Sequence, residues 1–243
     1  MNDLYTIKPI ARIYTDFDER FGIPRQPGLI PELWARIVFE EEFRDINSVK
    51  GLELFSHLWL IWSFSETVID MTASPVKWSP TVAPPRLGGK QKIGVFATRS
   101  PYRPNSLGLS SVKLVNLIPK SPEGPQIIVE GADILNGTPI FDIKPYVPYS
   151  DCHPGASSGY SVDTGKFLDV VFPDDLLKLI PAEKQKALFG VLEQDPRGSY
   201  EKQPGYVYGL CFAGYDIRFS VEGCTLTVSE VCQRDGDNYH NIK

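Results

Sequence analysis

Four short stretches of the chain gather the side chains that could bind or react. Gly94–Gly108, GVFATRSPYRPNSLG, sets Arg99 and Arg103 on either side of Tyr102, directly after an apolar run. Guanidinium groups answer carboxylates and phosphates, and an aromatic between them can stack on a base or nucleoside. Asp133–Tyr149, DILNGTPIFDIKPYVPY, holds Asp133, Asn136, Asp142 and Lys144 within twelve positions. Asn136-Gly137 favours a hairpin turn, and Asp133 and Asn136 either brace that turn through their side chains or present polar groups to a ligand. Asp142 and Lys144, two apart on one strand face, suit a structural ion pair as well as a site. In Ile23–Leu29, IPRQPGL, the Pro27-Gly28 turn fixes the reach of Arg25 and Gln26, as an ordinary surface turn also would. His57 opens the apolar part of FSHLWL, Phe55–Leu60, where a lone histidine is more often a satisfied structural group than a catalyst.

Several chemistries find no support in the residues. Cys152, Cys211, Cys224 and Cys232 are widely spaced with no C-x-x-C pair, and His57, His153 and His240 form no metal-binding pattern, so no metal is expected. Ser56 beside His57 lacks the Gly-x-Ser-x-Gly elbow of a serine hydrolase. The acids near the motifs carry no recognisable pairing for a hydrolase. No basic stretch precedes an apolar segment near the start, and the run His57–Phe64 is far too short for a membrane span, so a soluble cytoplasmic protein with free thiols is expected.

Charge is unevenly spread. The chain has 243 residues and a formal net charge of −5, yet between Met71 and Pro122 there is no Asp or Glu. Lys77, Arg86, Lys90, Lys92, Arg99, Arg103, Lys113 and Lys120 lie there, leaving 17 basic and all 30 acidic residues for the rest of the chain. At the average acidic density this segment would hold about six acids. A locally basic surface on an acidic protein suits a polyanion, although charges scattered over several strands need not share a face.

The elements that must carry these groups are mostly strands. Thr6–Tyr14, Glu32–Phe39, His57–Ser65, Ile93–Thr98, Leu107–Leu117 and Ile127–Ile134 are short, β-branched or aromatic, and separated by Gly, Pro, Asn and Asp. The absence of long amphipathic helices between them argues for a closed or sandwiched antiparallel sheet rather than a doubly wound one. After Tyr149 the texture turns small and polar. Pro173–Gln194 then shows a helical pattern that Pro181 divides in two, and strands follow at Tyr206–Phe212, Tyr215–Val221 and Thr225–Val231. The expected organisation is mainly β: an antiparallel β-barrel domain over 1–151, then a linker and a smaller α+β domain over 152–243.

Taken together, IPRQPGL, GLELFSHLWL, PTVAPPRLGG, GVFATRSPYRPNSLGLS and DILNGTPIFDIKPYVPY resemble, in order, the TsaA/TrmO-type family of β-barrel methyltransferases. The resemblance runs from about Tyr5 to Asp151, and EQDPRGSY at Glu193–Tyr200 is similar to a C-terminal phrase of the full-length bacterial members. It implies a homodimeric, S-adenosylmethionine-dependent enzyme that methylates N6 of N6-threonylcarbamoyladenosine beside the anticodon of threonine tRNAs. It also implies a barrel in place of a Rossmann sheet, in keeping with the absence of a G-x-G-x-x-G fingerprint.

The same resemblance assigns cofactor binding to Arg25, Gln26, Pro27 and Gly28, to His57 and Leu58, to Arg99 and Leu109, and to Asp133, Ile134, Leu135 and Asn136. Arg99 would meet the methionine carboxylate, and Asp133 or Asn136 the ammonium or ribose hydroxyls. The acceptor nitrogen is urea-like and a poor nucleophile, so a base should assist; Asp142 is the candidate, with Lys144 or Tyr146 orienting the threonyl carboxylate. Arg103, with Arg86, Lys90 and Lys92, would meet tRNA phosphates or the carboxylate of the modified base. A non-catalytic reader of modified tRNA is the alternative, distinguished by having no need of the cofactor. The C-terminal unit, with Tyr200, Lys202, Tyr206, Tyr208 and Arg218, would hold the anticodon arm or stabilise the dimer.

Overall fold

Alternating burial sets the architecture. A computed structural model of the chain describes residues 5–64, 78–162, 165, 167–197, 203 and 205–234. Its strands are β1 (Ala11–Tyr14), β2 (Trp34–Phe39), β3 (His57–Ser63), β4 (Thr81–Val82), β5 (Ile93–Gly94), β6 (Leu107–Ile118), β7 (Gln126–Glu130), β8 (Thr138–Pro145), β9 (Asp169–Val171), β10 (Tyr208–Phe212), β11 (Tyr215–Glu222) and β12 (Thr225–Gln233). Its helices are α1 (Pro148–Asp151), α2 (Asp174–Leu177) and α3 (Ala182–Glu193).

Six strands close into an antiparallel barrel in the order β1-β2-β7-β6-β3-β8, with β8 returning to β1. In β3, Leu58, Leu60 and Trp62 point inward, while His57, Trp59, Ile61 and Ser63 keep partial exposure. The inward faces of the other strands add Ala11, Ile13, Ala35, Ile37, Val112, Ile127, Val129 and Ile140, so the interior is a packed core rather than a channel. Bulges interrupt the β3–β8 ladder at Ile61/Trp62 and the β6–β7 ladder at Leu114/Asn116, bending the sheet enough to close.

The C-terminal sheet has the order β10-β11-β12-β9, with β9 parallel to β12. Helix α3 follows Pro181, whose fixed φ suits a helix start, and buries Ala187, Leu188, Val191 and Leu192. The same core takes Phe17, Ile30 and Leu33 from the β1–β2 connector, so the two cores interlock across the expected boundary at residue 151.

Several expected strands differ from those found. Ile93–Thr98 is a two-residue strand followed by a 3₁₀ turn over Val95–Ala97. The strand expected over Ile127–Ile134 stops at Glu130, because Gly131 turns the chain at φ +74°. Thr138–Pro145, read mainly as turn, is a full barrel strand, and β9, three residues that pair in parallel with the distant β12, was not expected. Ser65, Lys77, Tyr200, Lys202 and His240 lie outside the described residues.

Candidate functional site at the barrel rim

A cavity of about 1010 Å³ lies where β3 and β6 meet the barrel rim. One wall is the β1–β2 connector, with Arg20, Ile23, Pro24, Arg25, Gln26 and Pro27. Facing it is the segment between β5 and β6, with Phe96, Thr98, Arg99, Pro101, Arg103, Pro104 and Asn105. Trp59, Trp62, Phe64, Leu107 and Leu109 supply apolar surface, and Ser110, Asp133, Leu135 and Thr138 close the site toward the barrel.

Close backbone contact ties the connector to the turn after β7. Gly28 N donates to Gly131 O at 2.8 Å, and Gly131 N donates to Leu33 O at 2.8 Å. A Cβ on Gly131 would stand 2.9 Å from Gly28 Cα, so neither chain could approach with a side chain between them. Across the cavity mouth the Arg99 guanidinium donates to Gln26 Oε1, joining the two walls, and Arg103 Nη1 donates to Thr98 O at 3.2 Å.

The polar floor is a short relay. Trp62 Nε1 donates to Ser110 Oγ at 3.0 Å, and Ser110 Oγ donates to Asp133 Oδ1 at 2.6 Å. Ser110 is fully buried inside the barrel. Burial pushes the Asp133 carboxyl up to about 6, against the opposing effects of the Ser110 hydroxyl, a backbone hydrogen bond and the nearby Arg99 charge. Among the described residues Asp133 is the one carboxylate lining the cavity, which otherwise carries four arginines. Shifted titration in a cleft is a mark of a functional group.

The structure brings together some of the expected residues and not others. Arg25, Gln26, Pro27, Arg99, Leu109, Asp133 and Leu135 line the cavity, joined by Arg103, which was expected at tRNA, and Gly28 buttresses the wall from behind. Leu58 and Ile134 are wholly buried in the barrel core. Asn136 braces the turn: its Oδ1 accepts from Thr15 N at 3.1 Å and its Nδ2 donates to Asp18 Oδ1 at 2.9 Å. His57, bonded through Nδ1 to Ser56 Oγ at 2.9 Å, lies at the far end of β3.

Asp142, Lys144 and Tyr146 stand on β8 or just beyond it, outside the cavity lining. Asp142 pairs with Lys144 at 2.9 Å on the exposed face, and Tyr146 packs against His57 and Trp59 with centroids 6.1 and 5.6 Å away. Arg86, Lys90 and Lys92 are exposed outside the cavity, and Arg86 donates to Val162 O. Sequence reading missed Arg20, Phe96, Trp59, Trp62 and Ser110. Ser110 carried a legible signal: alternation in LGLSSVKL puts a hydroxyl at an inward position, where a polar group needs a partner. Among the described residues no three His, Cys, Asp or Glu side chains gather to hold a metal, and no helix is long and apolar enough to cross a membrane.

The fold, a closed six-stranded barrel with a smaller α+β unit, is shared with solved TrmO structures. The crystal structure of TrmO from Pseudomonas aeruginosa matches with a TM-score of 0.73 at 29% identity, covering 95% of this chain and 100% of that one. A second TrmO crystal structure gives 0.75 at 29% identity, covering 94% and 99%. Residues 12–152 match the tRNA-methyltransferase O N-terminal domain, and residues 168–234 the TrmO C-terminal domain. The chain belongs to the tRNA-methyltransferase O family. It is 35% identical over 226 residues to the tRNA (adenine(37)-N6)-methyltransferase of Escherichia coli K12, covering 89% of this chain and 93% of that one. It is 34% identical over 223 residues to a putative S-adenosylmethionine-dependent methyltransferase of Pseudomonas aeruginosa PAO1, covering 88% and 92%.

Proposed function

We propose that this protein is an S-adenosylmethionine-dependent tRNA methyltransferase acting on N6 of adenine 37, and that its substrate is the N6-threonylcarbamoyl form of that base in threonine tRNAs. The observation that carries the reading is the cavity itself, an apolar pocket with arginines on two facing walls and, among the described residues, a single partly buried carboxylate on its floor. S-adenosylmethionine, when bound, supplies an electrophilic methyl group on a sulfonium.

The residues present fit that group. Arg25 and Arg99 offer guanidinium groups to a carboxylate, and Asp133 offers negative charge to an ammonium. Trp62, Phe64, Leu107 and Leu109 offer apolar surface to an adenine ring and a thioether chain. Arg25 and Arg99 on facing walls and Arg103 beside them favour an anionic or zwitterionic guest over a neutral one. Methyl transfer between two bound partners needs alignment and exclusion of water more than a protein nucleophile. The joined walls at Arg99 and Gln26 supply the first, and the aromatic lining supplies the second.

Arg103 in the cavity wall and the exposed Arg86, Lys90 and Lys92 of the acid-free run support contact with tRNA phosphates. The expected roles of Asp142 as base and of Lys144 and Tyr146 as orienting groups draw no support from the cavity lining, from which all three are absent. The family resemblance further implies a homodimer in the cytoplasm. Calorimetric titration with S-adenosylmethionine tests the cofactor reading: saturable one-site binding supports it, and no binding removes it.

A further inference from the structure

The C-terminal unit shapes the cavity without lining it. Arg20, Ile23, Pro24, Arg25, Gln26 and Pro27 form one wall, and among the described residues none after Thr138 reaches the cavity. The connector that carries this wall, residues 15–33, contains neither helix nor strand. A loop of that length has little order of its own, so its conformation depends on what it packs against.

What it packs against is the C-terminal unit, at successive points. Lys184 Nζ, on α3, donates to both carboxylate oxygens of Asp16 at 2.8 and 2.7 Å, with side-chain exposures of only 17% and 9%. Ala213 N donates to Asp16 O at 2.9 Å. Phe17 meets Phe212 edge-on at 5.5 Å, and Phe21 stacks over Phe219 at 6.4 Å. Gly22, at φ +91°, lies so close to the sheet that a Cβ there would stand 2.2 Å from Leu210 Cδ1. Arg25, itself in the cavity wall, reaches back to the Arg197 carbonyl at 3.5 Å. Beyond the wall, Ile30 lies against Gly190 of α3, where a Cβ would come within 2.8 Å of it.

We propose that the C-terminal unit is a clamp that holds the 20–27 wall in register with Arg99 and Asp133, and that Lys184 is a positioning residue for cofactor binding. The functional half of this inference rests on reading the cavity as the S-adenosylmethionine site. A wall already fixed in its bound shape binds without an ordering cost, whereas a released wall must be ordered by the ligand, and affinity falls by the fraction of molecules in the competent shape. The clamp acts on the cofactor side of the reaction and leaves the tRNA side to other surfaces.

The test compares Lys184→Met with Val231→Ala, which thins the same core from β12, two strands away from β10. Three quantities are measured in the full chain: affinity for S-adenosylmethionine, KM for cofactor and for tRNA with kcat, and hydrogen–deuterium exchange over residues 18–29. Lys184→Met is expected to weaken cofactor affinity and raise its KM by about tenfold or more, with kcat at saturating cofactor and KM for tRNA within about threefold of the parent. Exchange over 18–29 should quicken. Val231→Ala should lower the melting temperature yet keep cofactor affinity within about twofold.

A folded Lys184→Met protein with unchanged cofactor affinity and unchanged exchange overturns the proposal, as does an equal loss of affinity in Val231→Ala at matched loss of stability. If the parent protein binds no S-adenosylmethionine, the cofactor reading fails, while exchange over 18–29 still decides whether the clamp exists. Where Lys184→Met alone does not fold, Lys184→Met combined with Asp16→Asn removes the uncompensated buried charge and carries the same measurements.

Discussion

Replacing Asp133 by Asn should stabilise the protein and impair it in one step. Burial holds this carboxyl at about 6, against an ordinary value of 3.8, so its ionised form at neutral pH costs about 3 kcal/mol relative to the same group in the unfolded chain. Because the folded value is raised, the folded protein binds the proton more tightly than the unfolded chain. Its favourable contribution is present in full below 3.8 and is lost as pH rises through 6. Asp133→Asn removes the charge and keeps an acceptor for the Ser110 hydroxyl, which donates at 2.6 Å. Urea unfolding of both proteins should therefore show little difference near pH ~4 and a gain for the variant of about 2–3 kcal/mol near pH ~7.5. Affinity for S-adenosylmethionine should fall by about 10–100-fold, the value of a charge-assisted hydrogen bond to its ammonium. A stability difference that does not change with pH, or a variant that binds the cofactor as well as its parent, would contradict these roles for Asp133.

Three further outcomes follow from the same geometry. Gly108→Ala puts a Cβ within 2.3–2.6 Å of the Trp62 ring, so the ring must shift; stability should drop by about 1–3 kcal/mol in denaturation, with weaker cofactor binding in calorimetry. Arg103→Ala should weaken tRNA binding and reduce the slope of log affinity against log salt by about one, measured by filter binding over a salt series. Asp142→Asn breaks an exposed ion pair worth about 0–1 kcal/mol, so single-turnover methyl transfer should stay within about twofold of the parent; a loss of 100-fold or more would return Asp142 to the reaction.

The sequence carried the barrel strands well where one face is buried. In β3 the alternation of Leu58, Leu60 and Trp62 with more polar or exposed neighbours is visible in the letters HLWLIWS, and that face is the core. β8 was harder to see because Pro139, Asp142, Lys144 and Pro145 break its pattern, and those residues lie on the outer side or at the strand end. The cavity lining was legible where it is continuous in sequence, as in Arg25–Pro27 and in Arg99 with Arg103. It was not legible where it depends on register. Opposite β6, Trp62 pairs with Gly108 in the ladder, and only closure of the barrel then sets Ser110 between Trp62 and Asp133. The same limit applied to Asn136, whose partners Thr15 and Asp18 lie more than a hundred residues away in the chain and turn a candidate ligand group into a brace. The interlocked cores were hidden for a related reason: Phe17, Ile30 and Leu33 precede the barrel strand β2 in sequence yet belong to the C-terminal core.

Methyl transfer to the modified base is tested by incubating the protein with labelled S-adenosylmethionine and threonine tRNA, prepared with and without the threonylcarbamoyl group, and identifying the product nucleoside by mass. Label is expected on the modified adenosine alone, with a mass gain of one methyl group. Label on unmodified adenosine would contradict the proposed substrate, and no label on either tRNA by a protein that binds the cofactor would contradict the proposed reaction.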